Sequence, residues 1–129
     1  MHATVWFDGA AKGNPGPAGA GAVVQADGGA KRSHSKAVGR ATNNEAEYDG
    51  LILGLEAALA AGAERVTVRG DSQLVIRQLE GRYQVKAANL RPRYEAAKKL
   101  LARFDAVRLE WVRRGDNADA DAAANAALS

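Results

Sequence analysis

The chain has 129 residues, 47% of them hydrophobic and 26% charged, with a net charge of +3. That composition suits a single folded domain over residues 1–129 with one core. No cysteine is present, which excludes disulfides, thiolate metal sites and a cysteine nucleophile.

In chain order, Ala3–Gly9 is expected to form the first strand. It would turn Ala3, Val5 and Phe7 to one side and Thr4, Trp6 and Asp8 to the other. Gly13-Asn14-Pro15-Gly16-Pro17 reads as a turn, too dense in glycine and proline for a regular element. Strands over Gly19–Gln25 and Ser33–Arg40 follow, joined through the hairpin signal Asp27-Gly28-Gly29. A helix is expected over Asn43–Ala61, a strand over Arg65–Gly70 and a short helix over Ser72–Glu80. Leu90–Phe104 reads as helix with Pro92 in its first turn, Val107–Val112 as strand, and Asn117–Leu128 as a final helix. Three antiparallel strands followed by alternating helix and strand give an α/β fold, a mixed sheet with helices packed on its faces.

Four acids stand where they could converge. Asp8 ends the apolar run Val5-Trp6-Phe7 and precedes the glycine-rich loop; Asp71 ends the strand over Arg65–Gly70. Glu47 lies one turn into a helix, and Asp121 near the start of the last one. Converging carboxylates repel unless a cation holds them, and their hard oxygens suit Mg²⁺ or Mn²⁺. Singly, each has an ordinary structural explanation: a strand-end cap, a first-turn acid, a surface charge.

Helix geometry separates the acids from their neighbours. Thr42-Asn43-Asn44-Glu45 fits a capping box, which gives Glu45 a structural task. Glu47 instead lines up with Leu51, Leu55 and Ala58, and a carboxylate facing the core is costly unless paired or metal-bound. With Asn117 as N-cap, Asp119 falls in the first turn, where acids serve the helix dipole. Asp121 lines up with Ala124, Asn125 and Leu128, toward the body of the protein.

The positive charge is uneven. Between Arg82 and Arg103 seven bases (Arg82, Lys86, Arg91, Arg93, Lys98, Lys99, Arg103) face one acid, Glu95. With Tyr83 and Tyr94 nearby, such a run suits a phosphate backbone, and equally a solvated helix face. The glycine-rich loop lacks the spacing of a nucleotide-binding P-loop.

Taken in order, Asp8-Gly9 with Gly13-Asn14-Pro15-Gly16-Pro17, Thr42-Asn43-Asn44-Glu45-Ala46-Glu47, Asp71-Ser72 and Asn117-x-x-Ala120-Asp121 resemble ribonuclease H type 1. The resemblance covers nearly the whole chain. It implies a five-stranded sheet, three strands antiparallel and then two parallel, with helices on both sides. It also implies an endoribonuclease that hydrolyses the RNA strand of RNA–DNA hybrids by a two-metal mechanism. The family's catalytic, metal-binding acids fall on Asp8, Glu47, Asp71 and Asp121. Asn14, Asn43 and Asn44 would contact the hybrid backbone, the last two offering side-chain amides and free N–H groups at a helix N-terminus.

The chemistry is consistent with this. In-line displacement at a phosphodiester uses two ions about 3.5–4 Å apart. Asp8, central in the sheet, is placed to bridge them; Glu47 and Asp71 would complete one site, and Asp71 or Asp121 the other. Expected cofactors are therefore Mg²⁺ or Mn²⁺, two ions with substrate bound. A pure binding module would have no use for four converging carboxylates.

Two departures from the family pattern stand out. The loop before the last helix, Arg113-Arg114-Gly115-Asp116-Asn117, carries no histidine, and Arg113 or Arg114 would hold phosphate in its place. Region Glu80–Leu90 lacks the long basic protrusion of some relatives, so affinity would rest on the Arg91–Arg103 helix, with Lys98 and Lys99. The branch so resembled adds a side activity on double-stranded RNA. The N-terminus lacks a signal-peptide pattern, and Leu51–Ala61, the longest apolar stretch, is too short and interrupted to span a bilayer. A cytoplasmic monomer without membrane contact is the expectation.

Overall fold

The computed structural model describes residues 1–128. Five strands, β1 (His2–Ala11), β2 (Gly16–Ala26), β3 (Arg32–Ala41), β4 (Arg65–Gly70) and β5 (Ala106–Trp111), form one sheet in the order β3-β2-β1-β4-β5. β1 pairs antiparallel with β2 and β2 with β3, whereas β1–β4 and β4–β5 are parallel. This is the mixed sheet the sequence resemblance implied.

Four helices accompany it: α1 (Asn43–Ala60), α2 (Gln73–Leu79), α3 (Arg91–Leu101) and α4 (Ala118–Ala126). The main core lies on the α1 side, where Val5, Phe7, Val66 and Val68 meet Tyr48, Leu51, Leu55, Val75 and Ile76. On the opposite face α4 runs close against β2. A Cβ on Gly19 or Gly21 would run into the backbone of Ala124, so no larger residue fits this contact. No described helix is long and apolar enough to cross a membrane.

Several boundaries differ from expectation. β2 begins at Gly16, so Gly16 and Pro17 belong to a strand rather than to the turn. Proline is tolerated at the start of a strand, and the Pro17 carbonyl accepts from the Lys12 amide at 2.8 Å. α3 stops at Leu101, short of Phe104, because the chain turns there to deliver β5. Asp105 N donates to Glu64 O at 2.7 Å, and Phe104 is tucked into the core.

Asn117 occupies the N-cap position of α4 but makes no side-chain cap, contrary to the capping role expected of it. A 3-10 turn over Arg114–Asn117 enters the helix instead. The buried Asn117 side chain donates to the Phe7 carbonyl at 2.9 Å, a bond that ties the last helix to β1.

Candidate active site

Register places the first two acids. In the parallel β1–β4 pair, Phe7 stands opposite Gly70, so the next residues, Asp8 and Asp71, emerge side by side at the strand ends. Glu47 reaches them because α1 lies almost in contact with β1. A Cβ on Gly9 would overlap the Ala46 carbonyl carbon and the Glu47 amide, and one on Gly50 would overlap the Asp8 carbonyl oxygen. Glycine at both positions lets backbone meet backbone. As a result, oxygens of Asp8, Glu47 and Asp71 lie within 4.8 Å of one another.

Those three acids head an open cleft of about 540 Å³, also lined by Gly9, Asn43, Asn44, Ser72, Arg114, Asp121 and Asn125. Asp121 does not join the tight group of three, but it lines the same cleft and its charge bears on both Asp8 and Asp71. Asn125 orients it, donating to the Asp121 carbonyl at 2.9 Å and to its Oδ1 at 3.3 Å. Asp119 points elsewhere, exposed and 3.7 Å from the Lys31 ammonium.

Electrostatics mark the cluster as strained without a cation. Burial, then the Asp71 charge, pushes the Asp8 carboxyl up to about 7, although the Gly9 amide donates to its Oδ1 at 2.9 Å. Glu47 is pushed up to about 8, first by burial and then by Asp8 and Asp71, with the Ser72 hydroxyl acting the other way. Asp71 is raised by burial; its own backbone amide, the Arg114 guanidinium and the Asn117 side chain oppose the rise, and Asp121 adds to it. Hard oxygen donors that cannot all ionise comfortably are the donor set a small divalent cation requires. Asp8, Glu47 and Asp71 fit such an ion, and Asp121 lines the same cleft outside that group of three.

Glu45 behaves as the capping-box reading expected. Its backbone amide donates to Thr42 Oγ1 at 3.1 Å, and its Oε1 accepts from the Thr42 amide at 2.8 Å. These bonds, above all the one from the Thr42 amide, hold its carboxyl below the usual range.

The amides at this helix start are less free than the sequence suggested. Asn43 N donates to Asn14 Oδ1 and Ala11 N to Asn43 Oδ1, both at 3.0 Å. With Glu45 N bound to Thr42, Asn44 keeps the open first-turn N–H, beside the side-chain amides of Asn43 and Asn44. Asn14 does not line the cleft; it braces Asn43.

The bases divide in the same way. Arg114 lines the cleft and Arg113 does not. Arg91 donates to the Val85 carbonyl at 3.0 Å, and Arg93 binds Glu45 and Asp49. Lys98 and Lys99 are exposed, about 8 Å further along α3 than Arg93, and outside the cleft. Sequence reasoning gave no site role to Ser72, Asn125 or Trp111, whose indole N–H donates to the Asp71 carbonyl at 3.1 Å. Ser72, expected inside the helix, is instead its N-cap, and its hydroxyl accepts from Val75 N at 3.2 Å; nothing in the sequence signalled the bond from Trp111.

Comparison with known proteins gives a consistent picture. A family model described as "Reverse transcriptase-like" matches residues 6–127. The chain is 48% identical over 129 residues to a protein of Halobacterium salinarum named Ribonuclease HI, covering 99% of this chain and 64% of that one. It thus spans less than two thirds of that relative's length. The crystal structure of an RNase H1 from the same archaeon superposes with a TM-score of 0.95 at 44% identity, over 99% of this chain and 98% of that one. A second structure, LC11-RNase H1 in complex with an RNA/DNA hybrid, matches with a TM-score of 0.90 at 35% identity, over 98% and 96%.

Proposed function

Since the chain belongs to the ribonuclease H type 1 family, we propose that it is a metal-dependent endoribonuclease cutting the RNA strand of RNA–DNA hybrids. One observation carries this reading: the oxygens of Asp8, Glu47 and Asp71, drawn within 4.8 Å at the head of an open polar cleft. The hybrid bound to the LC11 relative supports the substrate class.

Asp8, Glu47 and Asp71 would hold one Mg²⁺ or Mn²⁺, and Asp8 with Asp121 a second once substrate is bound. Such ions lower the pKa of water and neutralise charge building on a phosphodiester. The chain's own groups do the rest. Asp8 and Glu47, raised to about 7 and about 8, would have to be deprotonated to hold an ion. The Gly9 amide keeps the Asp8 carboxylate oriented, and the Ser72 hydroxyl favours the charged form of Glu47.

Asn43 and Asn44, at the cleft wall, present amides to a sugar–phosphate backbone, where 2′-hydroxyls distinguish RNA from DNA. Arg114, exposed in the cleft and close enough to Asp71 to lower its pKa, would hold phosphate where relatives use histidine. This reading places phosphate contact on Arg114 rather than Arg113, and it leaves Lys98 and Lys99 to general attraction of the polyanion.

The test is a substrate panel: labelled hybrid, double-stranded RNA and double-stranded DNA, each with Mg²⁺, Mn²⁺ or chelator. Cleavage of the hybrid's RNA strand with either ion is expected, with slower cutting of double-stranded RNA and none of DNA. Robust cleavage in chelator, or equal rates on the DNA duplex, would refute it.

A further inference from the structure

The start of α1 carries three acids within five residues: Glu45, Glu47 and Asp49. Glu47 turns into the cleft. Glu45 and Asp49 lie four residues apart on another flank, an arrangement in which like charges repel along a helix. A single cation from a different element meets both. Arg93 Nη1 donates to Glu45 Oε2 at 3.0 Å, and Arg93 Nε to Asp49 Oδ1 at 3.1 Å. The Arg93, Glu45 and Asp49 side chains are only 29%, 16% and 20% exposed, so the fork is largely out of water. In such a place removing one partner leaves the others badly solvated.

The contact does not end at the ion pair. Glu45 spends its other oxygen on the Thr42 amide at 2.8 Å, so one chain of bonds runs from Thr42 through Glu45 and Arg93 to Asp49. This chain spans about the first two turns of α1, the stretch that carries Asn43, Asn44 and Glu47 into the cleft. Arg93 itself does not line the cleft.

We propose that Arg93 is a positioning residue for the cleft: by clamping the flank of α1 to α3, it keeps Glu47, Asn43 and Asn44 in register with Asp8 and Asp71. The inference rests on the reading of the cleft as a metal-dependent, hybrid-cleaving site. Arginine suits the role because its planar fork can bind two carboxylates at once, which an ammonium does less well.

The variants are Arg93→Ala, Arg93→Lys and the charge-balanced triple Glu45→Gln/Asp49→Asn/Arg93→Ala. Two readouts apply. The first is hybrid cleavage titrated with Mg²⁺; the second is amide hydrogen exchange of the metal-free protein. Arg93→Ala should lower kcat about tenfold, raise the Mg²⁺ midpoint several-fold and leave KM for the hybrid within about twofold. Amides of Asn44 to Glu47 should exchange about tenfold faster while those of β1 and β4 keep their protection. Arg93→Lys should fall between, and the triple variant, freed of repulsion, should recover part of the loss.

A lower melting temperature with unchanged kcat, Mg²⁺ midpoint and local exchange would overturn the inference, since it would make the clamp merely structural. So would a raised KM and a flatter salt dependence at unchanged kcat, because Arg93 would then touch substrate. Should Arg93→Ala fail to fold, unchanged exchange and Mg²⁺ midpoint in Arg93→Lys would overturn it equally. A wild-type protein that cuts no hybrid with either ion would instead refute the proposed function.

Discussion

Asp8 and Glu47 hold protons that the same side chains release in an unfolded chain, and this makes stability pH-dependent. Asp8 moves from 3.8 to about 7 and Glu47 from 4.5 to about 8. Raised carboxyl pKa values mean the native state binds more protons than the unfolded state between the two limits. Their contribution is therefore complete below about pH 4 and is lost as pH rises through about 7 to 8. In chelator, the urea midpoint should fall across that window in the wild type and more shallowly in Asp8→Asn. Saturating Mg²⁺ should remove most of the fall. A midpoint that rises with pH in chelator would contradict the burial of these carboxylates.

Asp119 and Asp121 provide a second test at this scale. Asp121 lines the cleft, held by Asn125, whereas Asp119 faces Lys31 at 3.7 Å on an exposed surface. Asp121→Asn should depress hybrid cleavage strongly, with partial rescue by Mn²⁺. Asp119→Asn should leave turnover within about twofold and change stability by less than about 1 kcal/mol. Equal loss of turnover in both would show that the second ion is held differently.

The acids were legible in the sequence because strand ends, a capping box and helix spacing constrain where such side chains point. The hydrogen-bond partners were not. Nothing local announces that Trp111, forty residues from Asp71, will hold its carbonyl, or that Asn14 will consume the Asn43 amide.

The decisive contact among the elements is α1 against β1. Gly9 and Gly50 remove the side chains that would separate them, and that closeness delivers Glu47 to Asp8. Gly9→Ala should destabilise by about 1–3 kcal/mol through overpacking and should also abolish cleavage, because the backbone that would have to move carries Glu47. Gly115→Ala is the control: a Cβ there meets nothing within 4 Å, so stability and turnover should hold. Stability scans and cleavage rates on the two variants check this; an active Gly9→Ala would show that the site tolerates a displaced α1.

Element types followed from periodicity and, for α1, from capping, since Thr42 announces that helix by the bond its hydroxyl accepts. Ends set by tertiary bonds escaped the same reasoning. α3 stops early to let Asp105 reach Glu64, and Asn117 abandons its cap for the Phe7 carbonyl, so a 3-10 turn precedes α4.

For the molecule as a whole, the sheet order and the helices on both faces follow the family resemblance carried by four short motifs. The distribution of positive charge did not follow so directly. A run of seven bases suited a phosphate backbone and a solvated helix face equally; in the fold Arg91 and Arg93 are engaged within the protein, and Lys98 and Lys99 lie away from the cleft. A tally of charge along a sequence cannot separate bases that brace helices from those left to meet a polyanion. Arg114, outside that run, is the base that the fold sets beside the acids.

The proposed cutting of RNA paired with DNA in the presence of a divalent ion depends above all on the gathering of Asp8, Glu47 and Asp71. The most direct measurement follows a hybrid labelled separately on each strand, with wild type and Asp8→Asn, in Mg²⁺ and in chelator. Cleavage should be confined to the RNA strand and present only for wild type in Mg²⁺, with Asp8→Asn folded and at least as stable in chelator. Cleavage of the DNA strand, or RNA cleavage by a folded Asp8→Asn at the wild-type rate, would contradict it.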